Sequence, residues 1–490
     1  MLRMLESQAP AKQTATVTIS TLCSRLNNAT LLEDRRAAIL GLRSFAKDYP
    51  ASVASGSLRS LIGCLTKDLE DVDTVKVVLE TLLMLFNPNA QSAEAGEEIA
   101  FWLADEFTQH QDNIKTLLEL LETTDFYSRL YALQLLTAIY AARPERTQES
   151  VLGAALGTSR LVSTLEDPRD AVRNAGLMFL GDLTQSSVEL QKLVAFEGSF
   201  DRVFGLLKAE GGLQEGGIIV QDCLDLLANL VRQNSSNQSL FRESGCVPKL
   251  AELLQSAYAP IEGDVDGHML PNSQRDKNLW GLLAVIRLFL VSGSVGTNIN
   301  QKTFEKHGIL QQVLDIAFKD FTEPPIRAEA LYTCADMIRG NADLQTGFAQ
   351  FQVPLTDHSE QPGQPNGTTN GILKVYVIDA LLDLVIAGAA SSFNIRLAAC
   401  ECIKAYFTNH TQIRLHFLNR AIDGFMSGED ETANVLSTLM RDGAEHVTDP
   451  YKIWFAAVII LHLVWDDNEA KAALMKVSEG DAENGEEVVT

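Results

Sequence analysis

Cys400 and Cys402 are the residues whose type and spacing most suggest a metal or thiol redox pair. On a helix, positions two apart point about 200° from each other, and no His or Cys cluster accompanies the pair, so two core thiols are the better reading. The eight His stand singly, without an HExxH motif. Neither a GxSxG nucleophile elbow nor a GxxxxGK phosphate loop ending in Ser or Thr occurs. The glycines of AEGGLQEGG, Ala209 to Gly217, precede a helical pattern, but with no strand before them and no Lys they read as a long turn between helices. No catalytic, cofactor-binding or metal-binding residue is assigned, and the chain reads as non-enzymatic. The charged cluster EDRR, Glu33 to Arg36, is the remaining polar constellation.

The elements that carry these residues are helices in a repeat. Arg35, Arg129, Arg173, Arg327 and Arg396 are each followed by Ala or Gly at plus three, an apolar residue at plus four and Leu, Ile or Cys at plus seven. The Arg35 to Arg129 distance is 94 residues and the Arg129 to Arg173 distance 44, which gives a unit of about 44 to 47 residues, as in stacked two- or three-helix repeats. The expected fold is therefore all-α, an armadillo-like α-solenoid. At the start of its helix, the recurring Arg can bond carbonyls or acids of the adjacent repeat, so it is assigned to repeat stacking. Arg35 then takes the stacking position and leaves Glu33, Asp34 and Arg36 to face solvent or a partner.

Composition narrows the partners. Acids outnumber bases 64 to 40, a formal charge of −24, which disfavours nucleic acid and anionic lipid surfaces. The seven Cys lie scattered in apolar helical pattern without a CxxC pair, as reduced core residues of a cytosolic protein. The longest apolar run, WFAAVIILHLVW from Trp454, is about half a membrane span, so no transmembrane segment is expected. Two segments without apolar period, 255–278 and 353–371, are expected to be surface loops inserted in a head spanning 16–478. Residues 1–15 are expected to be flexible and the acidic 479–490 disordered, with the chain ending before the head is complete.

An armadillo-type adaptor for extended basic peptides, as in nuclear import or catenins, is the rival binding module. Such clamps place an Asn on each inner helix and a Trp one turn earlier. Nine residues after the recurring Arg stand Ser44, Ala138, Asp182, Asp336 and Ala405; only the IIVQDCLDLLANL register supplies an Asn, Asn229, and WxxxN is absent. The clamp chemistry is missing, although Asp182 and Asp336 would suit a basic ligand.

Three segments carry a family resemblance: TLLEDRRAAILGLRSFAKDYP (Thr30 to Pro50), GGIIVQDCLDLLANLVRQNSSNQSLF (Gly216 to Phe241) and DPYKIWFAAVIILHL (Asp449 to Leu463). They resemble, in the same order, the globular head of the general vesicular transport factor family, the Golgi vesicle-tethering proteins. The resemblance implies a peripheral protein on the cytosolic face of Golgi membranes and transport vesicles, active between endoplasmic reticulum and Golgi. It implies protein partners, namely a Rab-family GTPase, SNARE proteins and golgins, and leaves homodimerisation open. The family's coiled-coil rod has no counterpart here, since no sustained heptads occur. Partner-binding candidates are Glu33, Asp34 and Arg36 together with Gly216, Gly217, Asn229, Asn234, Asn237 and Gln238.

Overall fold

Helix Phe126–Ala142 shows how this sequence makes its elements. Asp125 caps it, its carboxylate accepting the Ser128 N–H at 2.7 Å. Ala132, Leu133, Leu136 and Ile139 recur at helical spacing and are wholly buried. The helix stops at Arg143, whose φ of −139° and ψ of 72° are those of a residue held out of the helical region by the following Pro144. Pro144 then opens the next helix, where its missing N–H costs nothing; Pro50, Pro324 and Pro450 open helices in the same way. Burying each Leu or Ile of the stripe stabilises the stack by about 1.5–3 kcal/mol.

The computed structural model describes residues 14–96, 98–257, 273–319, 322–354, 374–388, 391–428, 433–440 and 449–483. Two compact units emerge, Met1–Leu206 and Leu207–Thr490. The first contains the spine helices α1 (Leu32–Arg43), α2 (Val72–Phe86), α3 (Phe126–Ala142) and α4 (Asp170–Thr184), each packed on the next. The second contains α5 (Ile218–Val231), α6 (Ser273–Leu288), α7 (Pro324–Ile338), α8 (Phe393–Phe407) and α9 (Pro450–Val464), again packed in succession. Further helices, from short turns to the 18-residue Pro50–Lys67, lie between them in sequence and pack on the spine helices, so each repeat buries its apolar stripe against its neighbours. This is the all-α, armadillo-like solenoid class.

A single two-stranded pair interrupts the helices among the described residues: Gln352–Pro354 runs antiparallel to Lys374–Tyr376, with Val353 opposite Val375. The expected loop 353–371 therefore begins in a strand, because Val353 is buried and its backbone has a partner. Residues 355–371 lie outside the described residues. The expected loop 255–278 is also narrower than the sequence suggested. Helix Cys246–Ser256 runs into it, and α6 starts already at Ser273, with Asp276 and Asn278 buried. Asn278 donates to the carbonyls of Leu213 at 3.2 Å and Gly216 at 2.8 Å, a polar core contact that sequence periodicity does not register. Residues 258–272 lie outside the described residues. At the ends, Thr14 caps a helix Ala15–Asn28, and helix Asn468–Glu483 extends into the segment expected to be disordered; 1–13 and 484–490 lie outside the described residues.

Candidate functional site

The five recurring arginines occupy one structural position, the fourth residue of their spine helices. Arg35 donates from Nε to Asp68 Oδ2 at 2.8 Å and from Nη1 to the Thr30 carbonyl at 2.8 Å. Arg129 repeats this with Asp167, 2.8 Å away, and the Thr123 carbonyl at 2.9 Å. Arg396 donates to the Val385 carbonyl at 2.8 Å and pairs with Asp449 at 2.7 Å, its guanidinium lying over the Phe455 ring. Asp68, Asp167 and Asp449 all sit in the turn that opens the next spine helix, so Arg35 and Arg129 tie the turn before their own helix to the turn before the following one, and Arg396 ties the helical segment Asp383–Ala387 to it. Arg173 bonds the Asp167 carbonyl and the Asp170 carboxylate, and Arg327 the Ala317 carbonyl. Arg35, Arg129 and Arg396 thus reach from one repeat to the next, while these bonds of Arg173 and Arg327 stay with the segment that leads into their own helix.

The EDRR cluster divides differently from the sequence expectation. Arg36 does not stand open to a partner: its Nε donates to Thr74 Oγ1 at 3.1 Å and its Nη2 pairs with Asp71, at the start of α2. The Thr74 hydroxyl and then the Arg36 guanidinium hold the Asp71 carboxyl below its usual range. Glu33 and Asp34 are exposed.

The second expected patch is mostly internal. Gly216 is buried, and a Cβ there would meet the Gly212 carbonyl at 2.3 Å, so its place is set by packing rather than by a partner. Asn234 is buried and caps helix Ser235–Glu243 by accepting from Asn237 N–H. The Asn237 amide donates to the Leu230 carbonyl at 2.8 Å, and Gln238 to the carbonyls of Val231 at 3.0 Å and Leu288 at 3.2 Å. These amides satisfy carbonyls at the C-terminal ends of α5 and α6, which helices leave unpaired. Gly217 is exposed and Asn229 half-buried.

Gln238 belongs to a second ladder that the sequence reading missed. Gln301 donates to the carbonyls of Asp336 and Arg339 at 3.0 and 3.1 Å, and Gln345 to those of Ala405 and Thr408, both at 2.8 Å. Arg414 takes the corresponding place toward the Trp465 carbonyl at 2.9 Å. Each amide or guanidinium reaches the C-terminal end of the next spine helix. The signal was present as QSLF, QKTF, QTGF and RLHF, a polar donor three residues before a Phe, and Phe241, Phe304 and Phe348 are buried.

Asp182 and Asp336 are not equivalent. Burial pushes the Asp182 carboxyl up, while Asp336 already accepts from Arg287 at 2.8 Å, with Glu329 on the same guanidinium at 2.7 Å. All seven cysteines are buried, and burial raises the Cys400 thiol to about 12 and Cys64 to about 11. Among the described residues no cluster of His, Cys, Asp and Glu could hold a metal, and no helix is long and apolar enough to cross a membrane.

Comparison with known proteins places this architecture. Residues 341–490 match the family described as Uso1 / p115 like vesicle tethering protein, head region. Intracellular protein transport protein USO1 of Saccharomyces cerevisiae is 31% identical over 539 residues, covering 96% of this chain and 30% of that protein. General vesicular transport factor p115 of Homo sapiens is 28% identical over 478 residues, covering 96% and 47%. The chain thus spans less than half the length of these curated relatives. The crystal structure of Uso1-2 superposes with a TM-score of 0.86 at 32% identity, over 96% of this chain and 73% of that one. With the stacked spine, the arginine ladder and this near full-length match in hand, the chain belongs to the Uso1/p115 family of vesicle-tethering proteins and corresponds to its head region.

Proposed function

We propose that this chain is the non-catalytic head of a vesicle tether, binding protein partners on Golgi membranes and transport vesicles during endoplasmic reticulum to Golgi and intra-Golgi transport. One observation carries the reading: 96% of the chain aligns with relatives named for intracellular protein transport and general vesicular transport. The physical arrangement supports it. A stack of repeats presents residues in fixed geometry, so several moderate contacts form with little ordering cost. A Rab-family GTPase, SNARE proteins and golgins are the partners proposed, with attachment to the cytosolic face of membranes through them. Paired heads on a longer protein would gain from effective concentration, and homodimerisation is proposed on that ground.

Glu33, Asp34 and Gly217 are the exposed residues with which to begin, since Arg36, Gly216, Asn234, Asn237 and Gln238 are engaged within the fold. The purified chain, immobilised and exposed to detergent-solubilised Golgi membranes, should retain a Rab GTPase, a SNARE or a golgin. Retention of none of these, with capture of a basic import-signal peptide instead, would replace the tether by the adaptor reading. Reversing Glu33 and Asp34 should weaken partner capture without lowering the melting temperature.

A further inference from the structure

A cleft of about 710 Å³ in the second unit lies across α5, α6 and the start of α7. Its floor exists because Gly281 lets α6 approach α5: a Cβ there would stand 3.2 Å from Leu224 Cδ1, closer than ordinary contact. Beside it Trp280 is 50% exposed, whereas Phe241, Phe289 and Phe304 on neighbouring elements are at most 1% exposed. Leu224 and Ile326 continue the apolar lining from the flanking helices. A half-exposed indole on the wall of a cleft with an apolar lining is the usual anchor type of a protein contact.

The rim gives the charge of the occupant. Asp225 on α5 and Glu323 before α7 line the cleft, and Asp222 stands one turn from Asp225 on α5. None of these three acids makes an ion pair among the described residues. Asp276 also lines the cleft, but Arg275 lies 3.1 Å from its carboxylate and neutralises it. Lys277 is the cation on the same rim, so the acids leave an excess of negative charge around the indole. We infer that this cleft docks an extended segment of a partner protein that carries a bulky apolar side chain next to Lys or Arg. The apolar group fills the space over Gly281 between Leu224 and Ile326, and the cation lies between the Trp280 face and the Asp225 carboxylate, gaining from both. Spine helices pack about 8–10 Å apart and an extended chain advances about 3.3 Å per residue, so roughly three residues cross each helix. The inference rests on reading the chain as a partner-binding scaffold and names one surface and the partner chemistry it selects.

A fluorescein-labelled peptide of alternating lysine and leucine, titrated with the purified chain and followed by anisotropy, tests it. Binding should weaken on the order of tenfold with Trp280→Ala, the loss typical of an aromatic anchor. Asp225→Asn should weaken it less and flatten its salt dependence, and Glu70→Lys with Glu149→Lys, exposed positions in the other unit, should leave it unchanged. The aspartate and leucine counterpart should not bind. Trp280 is half exposed, so its replacement should preserve the melting temperature; if it does not, Asp225→Asn and Glu323→Gln carry the test. Equal binding by wild type and Trp280→Ala, or by both peptides, overturns the inference. Binding that requires deletion of 258–272 makes the chain's own segment the occupant and also overturns it, as does self-association in sedimentation that Trp280→Ala abolishes. A chain that binds the probe through Trp280 yet retains no Golgi partner loses the tethering reading and keeps the cleft; the reverse result loses only the cleft.

Discussion

Arg35 and Asp68 join two repeats side chain to side chain, with Nε 2.8 Å from Oδ2 and both side chains less than a tenth exposed. The Asp68 hydrogen bond raises the Arg35 pKa further, so the guanidinium stays charged and depends on that acid. Asp68→Ala should therefore cost about 2–3 kcal/mol, because it leaves a buried cation without its partner. Urea unfolding of Asp68→Ala, Arg35→Met and the double variant measures it. The double variant should be less destabilised than the sum of the singles; strict additivity would mean that the pair contributes nothing beyond its separate parts.

Gln345 is wholly buried and gives its amide to two carbonyls at the end of α8. Gln345→Leu keeps the volume and removes the donor, so the Thr408 carbonyl loses this partner and the Ala405 carbonyl keeps only the long bond from Thr408 N–H at 3.3 Å. The expected loss is about 1–3 kcal/mol. Hydrogen exchange should report it as faster opening at the C-terminal end of α8; unchanged exchange there would leave the ladder without an energetic role.

Burial pushes the Asp225 carboxyl above its ordinary value despite the opposing charge of Arg232, and pushes Asp222 up with the Asp225 charge adding to it. A raised carboxyl binds its proton more tightly in the folded chain. Its contribution to stability is full below the unfolded pKa and is lost as pH rises through the folded pKa. Asp225→Asn, which mimics the protonated acid, should thus melt higher than wild type at neutral pH. The difference should vanish as pH falls through the carboxylate range, and a gap that persists there would assign the effect to packing.

The cysteines should be silent in the native protein. Burial raises Cys400 to about 12 and pushes Cys402 and Cys334 up as well, so the thiolate fraction at neutral pH is minute. A maleimide should label the folded chain only at the rate of unfolding and all seven thiols in denaturant. Rapid labelling of Cys400 or Cys402 would reveal an opening of α8.

Much of this molecule is written in local pattern. Apolar residues three and four apart, Asp125 as a cap and Pro144 as a stop and start determine α3 without reference to anything distant. The same holds for the recurrence of Arg35, Arg129, Arg173, Arg327 and Arg396, because one helix position recurs with one set of neighbours. That ladder skips α2, α5, α6 and α9, whose fourth residues are Val75, Gln221, Asp276 and Ile453, so an identical side chain finds only part of the spine. The family, too, was legible, since three segments in order suffice to carry it.

What the sequence did not decide is which polar side chains stay available. Glu33, Asp34 and Arg36 are equally polar in sequence, yet Asp71 lies within reach of Arg36 only because α2 packs on α1. Asn234, Asn237 and Gln238 look like a solvated turn until the ends of α5 and α6 bring carbonyls to them. Trp280 could have been one more core aromatic. Helical period tells which face is apolar, but whether that face is covered depends on residues far along the chain, and hydrogen-bond demand at helix ends is met only once the repeats are stacked.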